Sequence, residues 1–187
     1  MGTFPTKKHI HIIDFGLSKQ YRDPDTNIHI SFRDGLPLIG TARYTSVNAL
    51  IGVELSHRDD IESLSYILIY LMRGSLPWQG MKGEKRQAYT CEKKLSMSPD
   101  VLCNGLPIAF KTCLQYAHSL EFSECPDYQY LRGLFTDLYQ QLDPDDSEFL
   151  SLGTTLNRSV TLPIIGSDST KTETLPIQKH RVRGVQR

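Results

Sequence analysis

Asp59–Arg73 reads DDIESLSYILIYLMR, and its reading decides the fold. Asp59 or Asp60 is an N-cap candidate, with Glu62 and Ser63 in the first turn, where a carboxylate suits the helix dipole. Beyond them Ile61, Leu64, Tyr66, Ile67, Leu68, Ile69, Tyr70, Leu71 and Met72 are apolar on nearly every side. A helix of that kind is buried. The apolar run is too short to span a bilayer, so the segment is expected to form the centre of a soluble core. Gly74 is the stop signal.

Working outward, Pro107–Leu120 (PIAFKTCLQYAHSL) starts with proline in the first turn and puts Phe110, Cys113, Leu114 and Ala117 on one stripe. Asp127–Gln141 aligns Tyr128, Leu131, Leu134, Phe135, Leu138 and Tyr139 in the same way. Residues 84–95 give a weaker, charged helix. Leu76-Pro77-Trp78 is a turn carrying the single tryptophan. Upstream, His9–Ile13 is short and β-branched and predicts a strand ending at Asp14-Phe15-Gly16. Residues 18–58 hold Gly35, Pro37, Gly40 and Gly52 without a sustained period, so a long irregular segment is expected there. The expected fold is mainly α.

Charge and composition set further bounds. The 187 residues carry 21 Lys or Arg and 21 Asp or Glu, a net charge of zero, which speaks against a nucleic-acid footprint. No apolar run is long enough for a membrane span. Cys91, Cys103, Cys113 and Cys125 lack zinc-knuckle spacing and predict reduced thiols in a cytoplasmic or nuclear protein. His9 and His11 share one strand face and are expected to point to solvent. Residues 151–187 contain ten Ser or Thr, no aromatic residue and an excess of four positive charges. Such a segment cannot bury enough apolar surface to order itself, so a disordered tail is expected after a domain over 1–150. TLPI occurs twice in it, at Thr161–Ile164 and Thr174–Ile177. Met1-Gly2 with Thr6 fits a loose myristoylation pattern.

The order of elements, a strand, Asp14-Phe15-Gly16, a long loop and a buried helix opening with Asp60, resembles the C-terminal lobe of a protein kinase. IIDFGLSKQYRD at Ile12–Asp23, GTARYTSVN at Gly40–Asn48, HRDDIESLSY at His57–Tyr66, GSLPWQG at Gly74–Gly80 and PDYQYLR at Pro126–Arg132 look like the casein kinase 1 family of serine/threonine kinases. In that family a Ser-Ile-Asn type sequence replaces Ala-Pro-Glu, and Ser46-Val47-Asn48 fits.

The resemblance implies a C-lobe of the kinase-like fold and transfer of the ATP γ-phosphoryl group to Ser or Thr of acidic or phospho-primed protein substrates, with Mg²⁺. Asp14 would match the metal and cofactor ligand. Lys19, Gly40 and Arg43 would match substrate-binding positions, and Asp60 and Asn48 structural ones. Arg43 reads an anion upstream of the target residue or holds the loop in shape. Two expected cations are absent: Leu36 and Ala88 stand where the family has lysine. The 187 residues also contain no Gly-rich loop, no strand lysine of the Val-Ala-Ile-Lys type and no catalytic loop with its Asp and Asn. Met1-Gly2 fits an internal Met-Gly just after that loop, so a truncated kinase is expected. By this reading the chain is inactive alone and holds neither Mg²⁺ nor ATP tightly. Asp14 is then a lone loop carboxylate, and Asp60 retains only its N-cap role. The alternatives are a non-catalytic, pseudokinase-like interaction module using exposed helical faces, or a fragment without function.

Overall fold

A computed structural model describes residues 11–83 and 85–142 of the chain. The proposed tail over 151–187, and with it the Met1-Gly2 pattern and His9, lie outside these residues. The described chain is mainly helical: a single 3-10 turn Phe15–Leu17, then α1 Val47–Ile51, α2 His57–Arg73, α3 Arg86–Ser96, α4 Pro99–Leu102, α5 Ile108–Ser119 and α6 Tyr128–Gln141.

The centre is α2 against α5. Ile69 is fully buried, and Tyr66, Leu114, Trp78, Leu76 and Leu102 close around it. Each such side chain contributes about 1.5–3 kcal/mol by leaving water. A second cluster joins Ile61 to Cys113, Ala117 and Leu120, with Leu131 and Leu134 of α6 against it. Ser65 links the two helices: its hydroxyl donates to Ile61 O at 2.8 Å and lies 3.4 Å from Cys113 Sγ. The predicted α5 stripe, Phe110, Cys113, Leu114 and Ala117, is buried as a set.

Four expectations are corrected. First, α2 starts two residues early. Its N-cap is Ser56, whose N–H donates to Asp59 Oδ2 at 2.8 Å, while the Asp59 N–H returns to Ser56 O at 3.0 Å. The Asp59 carboxylate serves the turn from inside the helix, so neither Asp59 nor Asp60 is the cap. Second, α2 is not apolar-covered all round. Leu64, Ile67 and Leu71 recur at helical spacing and stay exposed, because no described element lies over that face. Third, His11–Ile13 form no strand, and Ile12 and Ile13 are exposed. A strand needs a neighbour to pair its backbone groups, and none is present among the described residues. Fourth, Pro107 is the N-cap of α5 rather than its first helical residue.

The 18–58 segment is largely irregular, as expected, but holds α1. Ser46 caps that helix, its Oγ accepting from the Ala49 N–H at 3.1 Å, and Gly52 ends it at φ 78°. Only glycine fits there: a Cβ would lie 2.7 Å from Leu36 O. The close approach lets the Leu36 N–H donate to Gly52 O at 2.8 Å and lays the loop along α1.

Candidate functional site

Of the residues singled out in the sequence, Asp14, Lys19 and Asp60 line one pocket, whereas Gly40, Arg43 and Asn48 lie outside its lining. Asp14 caps the 3-10 turn in a left-handed conformation, φ 63°, and accepts weakly from the Gly16 N–H at 3.3 Å. Its carboxylate is exposed and borders a pocket of about 570 Å³. Lys19, Arg33, Glu54, His57 and Asp60 line the same pocket. Asp60 leads no helix; it sits in the first turn of α2, facing this space. Burial pushes its carboxyl up, and the neighbouring Asp59 charge adds to that.

Glu54 takes up two of the pocket's cations. Its buried carboxylate accepts from Lys19 Nζ at 2.6 Å, and from Arg33 Nε and Nη2 at 3.0 and 2.7 Å. The Lys19 hydrogen bond is the main reason its carboxyl is held below the usual range, with Arg33 adding to it against the cost of burial. Lys19 is thus committed to an ion pair, though its side chain stays about half exposed.

Arg43 is arranged differently. Its side chain is exposed, lies over its neighbour Tyr44 with 5.7 Å from Cζ to ring centroid, and takes part in none of the ion pairs among the described residues. The loop beneath it is fastened through its carbonyls. Trp78 Nε1 donates to Arg43 O at 2.8 Å, and Lys94 Nζ donates to Ala42 O at 3.2 Å and to Thr45 O. With the carbonyls of residues 42, 43 and 45 engaged on the core side, Arg43 and the exposed Gly40 are offered to solvent.

Asn48 ties this loop to α2. Its Nδ2 donates to Asp59 Oδ1 at 2.9 Å, which anchors α1 on the Ser56 turn. Glu62 does the same from below, accepting from the Val47 N–H at 3.0 Å and the Tyr66 hydroxyl at 2.7 Å, with His118 Nε2 at 3.7 Å. Burial pushes Glu62 up, but His118, Tyr66 and Val47 outweigh it and hold the carboxyl below its ordinary value. Both Glu62 and Lys94 went unnoticed as site residues. A signal existed for Glu62: it lies at i−4 from Tyr66 and i−7 from Ile69, on the apolar face.

The donor set does not make a magnesium site by itself. Asp14 and Asp60 border the pocket, Glu54 is spent on two cations, and no cluster of three ligating side chains occurs among the described residues. Mg²⁺ demands octahedral oxygen ligands, so no phosphoryl-transfer step follows from these residues alone.

No family model matches the chain. All four cysteines are free thiols; Cys103 and Cys113 are buried, and burial pushes Cys103 up to about 11, away from reactivity. No described helix is long and apolar enough to cross a membrane.

Proposed function

We propose that this chain is a casein kinase 1-like C-lobe that holds acidic or phosphorylated protein segments at its Gly40–Arg43 loop, and that alone it transfers no phosphoryl group. One observation carries the reading. Arg43 is exposed on a loop whose backbone is fastened from the core side and takes part in no ion pair among the described residues, while Lys19 and Arg33 share the Glu54 carboxylate. A guanidinium held out in this way binds phosphate or carboxylate with two parallel hydrogen bonds. The ordered matches from Ile12–Asp23 to Pro126–Arg132 support the family part of the reading.

In the family, Mg²⁺ and ATP would meet at the Asp14 position. The absence of a Gly-rich loop, its lysine and a catalytic loop from these 187 residues supports inactivity of the chain alone. A reducing compartment, cytoplasm or nucleus, belongs to the same proposal and agrees with four free thiols. The exposed Leu64, Ile67 and Leu71 stripe favours a second reading, an interaction module that also meets partners through α2.

Two results are expected. A phosphoserine peptide binds the purified chain more tightly than its unphosphorylated form, and Arg43→Gln removes the difference of about tenfold. With Mg²⁺ and ATP, the chain labels casein no more than Asp14→Ala does. Transfer above that control would overturn the inactive reading; equal binding of both peptides would overturn anion recognition.

A further inference from the structure

We propose that Lys94 is the positioning residue of the Arg43 loop, a buried amino group that latches residues 42–45 through their carbonyls. This deepens the anion-reading proposal above and rests on it for function, while the latch itself is tested without any ligand.

The side chain is 4% exposed although it belongs to a charged helix. It leaves α3 and ends between two aromatic rings, 4.4 Å from the Tyr66 centroid and 5.0 Å from that of Trp78. The rings meet edge to face, 5.0 Å apart, and form two walls of a cage. The remaining wall is the Arg43 loop, where Ala42 O and Thr45 O accept from Nζ. Trp78 uses its own N–H on Arg43 O, the carbonyl between those two. Lys94 and Trp78 therefore act as one clamp on three carbonyls. Cation–π attraction and charge-assisted hydrogen bonds offset only part of the ammonium's loss of hydration. The neutral amine keeps two N–H donors for the Ala42 and Thr45 carbonyls without that cost.

The balance is close. Burial pulls Lys94 down to about 7, while Glu62 of α2 and Cys91 of α3 act in the opposite direction. His118 of α5 faces Glu62, and the Tyr66 hydroxyl also donates to it. A cavity of about 500 Å³ is lined by Arg58, Glu62, Lys94 and His118. If the loop opens, Lys94 regains water and its value returns toward 10.5. Between about pH 7 and 10.5 the open loop then binds more protons than the latched one. Latching therefore strengthens as pH rises from 7, and has no dependence on this group below 7.

The test uses the full chain. Hydrogen exchange at the Tyr44 and Thr45 amides, corrected for intrinsic rates, is expected to slow between pH 7 and 9. Trp78, the only tryptophan, is expected to change emission with a midpoint near 7. The change persists in His118→Gln and is lost in Lys94→Met, a substitution of similar length. Lys94→Met should also weaken phosphopeptide binding by about tenfold, because the loop is no longer held in its binding form, while the far-ultraviolet helical signal remains. Flat exchange from pH 7 to 9 in the unmodified chain, or an emission titration that survives Lys94→Met, overturns the latch. If the latch results hold but no phosphopeptide binds, the anion-reading proposal fails and the latch stands.

Discussion

Glu62→Ala is expected to destabilise the fold by about 3–5 kcal/mol, the range for removing one partner from a buried charged network. The loss has three parts. The Val47 N–H and the Tyr66 hydroxyl are left inside without an acceptor, and buried unmet donors are costly. Lys94 loses the one carboxylate whose charge favours its buried ammonium. A domain of this size holds only about 5–15 kcal/mol in total, so most of its reserve would go. Urea titration followed by circular dichroism measures it. Glu62→Gln keeps the shape and one acceptor and should cost about 1–3 kcal/mol.

Acid provides a second handle on the same residue. The folded value of Glu62 lies below its ordinary 4.5. Its contribution is therefore complete above about 4.5 and is lost as pH falls through the folded value. The unmodified chain should weaken on acidification more steeply than Glu62→Gln. Equal slopes would show that the charge of Glu62 contributes nothing.

Trp78→Ala carries the other large effect, about 3–5 kcal/mol for deleting a buried tryptophan. The ring is 3% exposed and packs edge to face on Tyr66. Its removal also frees Arg43 O and takes one wall from the Lys94 cage. Trp78→Phe should recover most of the packing but not the hydrogen bond, leaving a deficit of about 1 kcal/mol. Loop exchange separates the two losses: Trp78→Phe should keep the core and still raise exchange at Tyr44. A phenylalanine variant with unchanged loop exchange would contradict a role for the indole N–H in holding the loop.

The helices α2, α5 and α6 were legible because each carries apolar residues at helical spacing over three or more turns. However, α6 covers the core only with the half-buried Leu131, Leu134, Phe135 and Leu138, and Tyr128 and Tyr139 of its expected stripe are exposed. The start of α2 was misread by two residues. Asp59 and Asp60 look like caps in sequence, but Asp59 reaches back to the Ser56 N–H from within the first turn. The five residues of α1 are too few to show a period, and the helix rests on tertiary ties from Asn48 and Glu62. His9–Ile13 has strand composition, yet its described part, His11–Ile13, forms no strand, because β-propensity needs a paired neighbour to be realised.

The site was legible in part. Arg43, Asp14, Lys19 and Asp60 were marked by motif, and the fold gathers Asp14, Lys19 and Asp60 at one pocket. What the motif did not carry was the partner of each charge. Glu54 satisfies Lys19 from 35 positions away, and Lys94 reaches Ala42 across 52. A lysine in the KK pair at 93–94 of a charged helix reads as solvated, and only the packing of α3 against α1 turns one of the two inward.

The central claim is that the loop offers Arg43 to an anion while its backbone is held from beneath. The most direct measurement is a nitrogen–proton correlation spectrum of the chain during titration with a phosphoserine peptide. Perturbations concentrated at Gly40–Tyr44, absent with the unphosphorylated peptide and absent in Arg43→Gln, are the predicted result. Perturbations confined to the Leu64–Leu71 face of α2, or unchanged by Arg43→Gln, would contradict it.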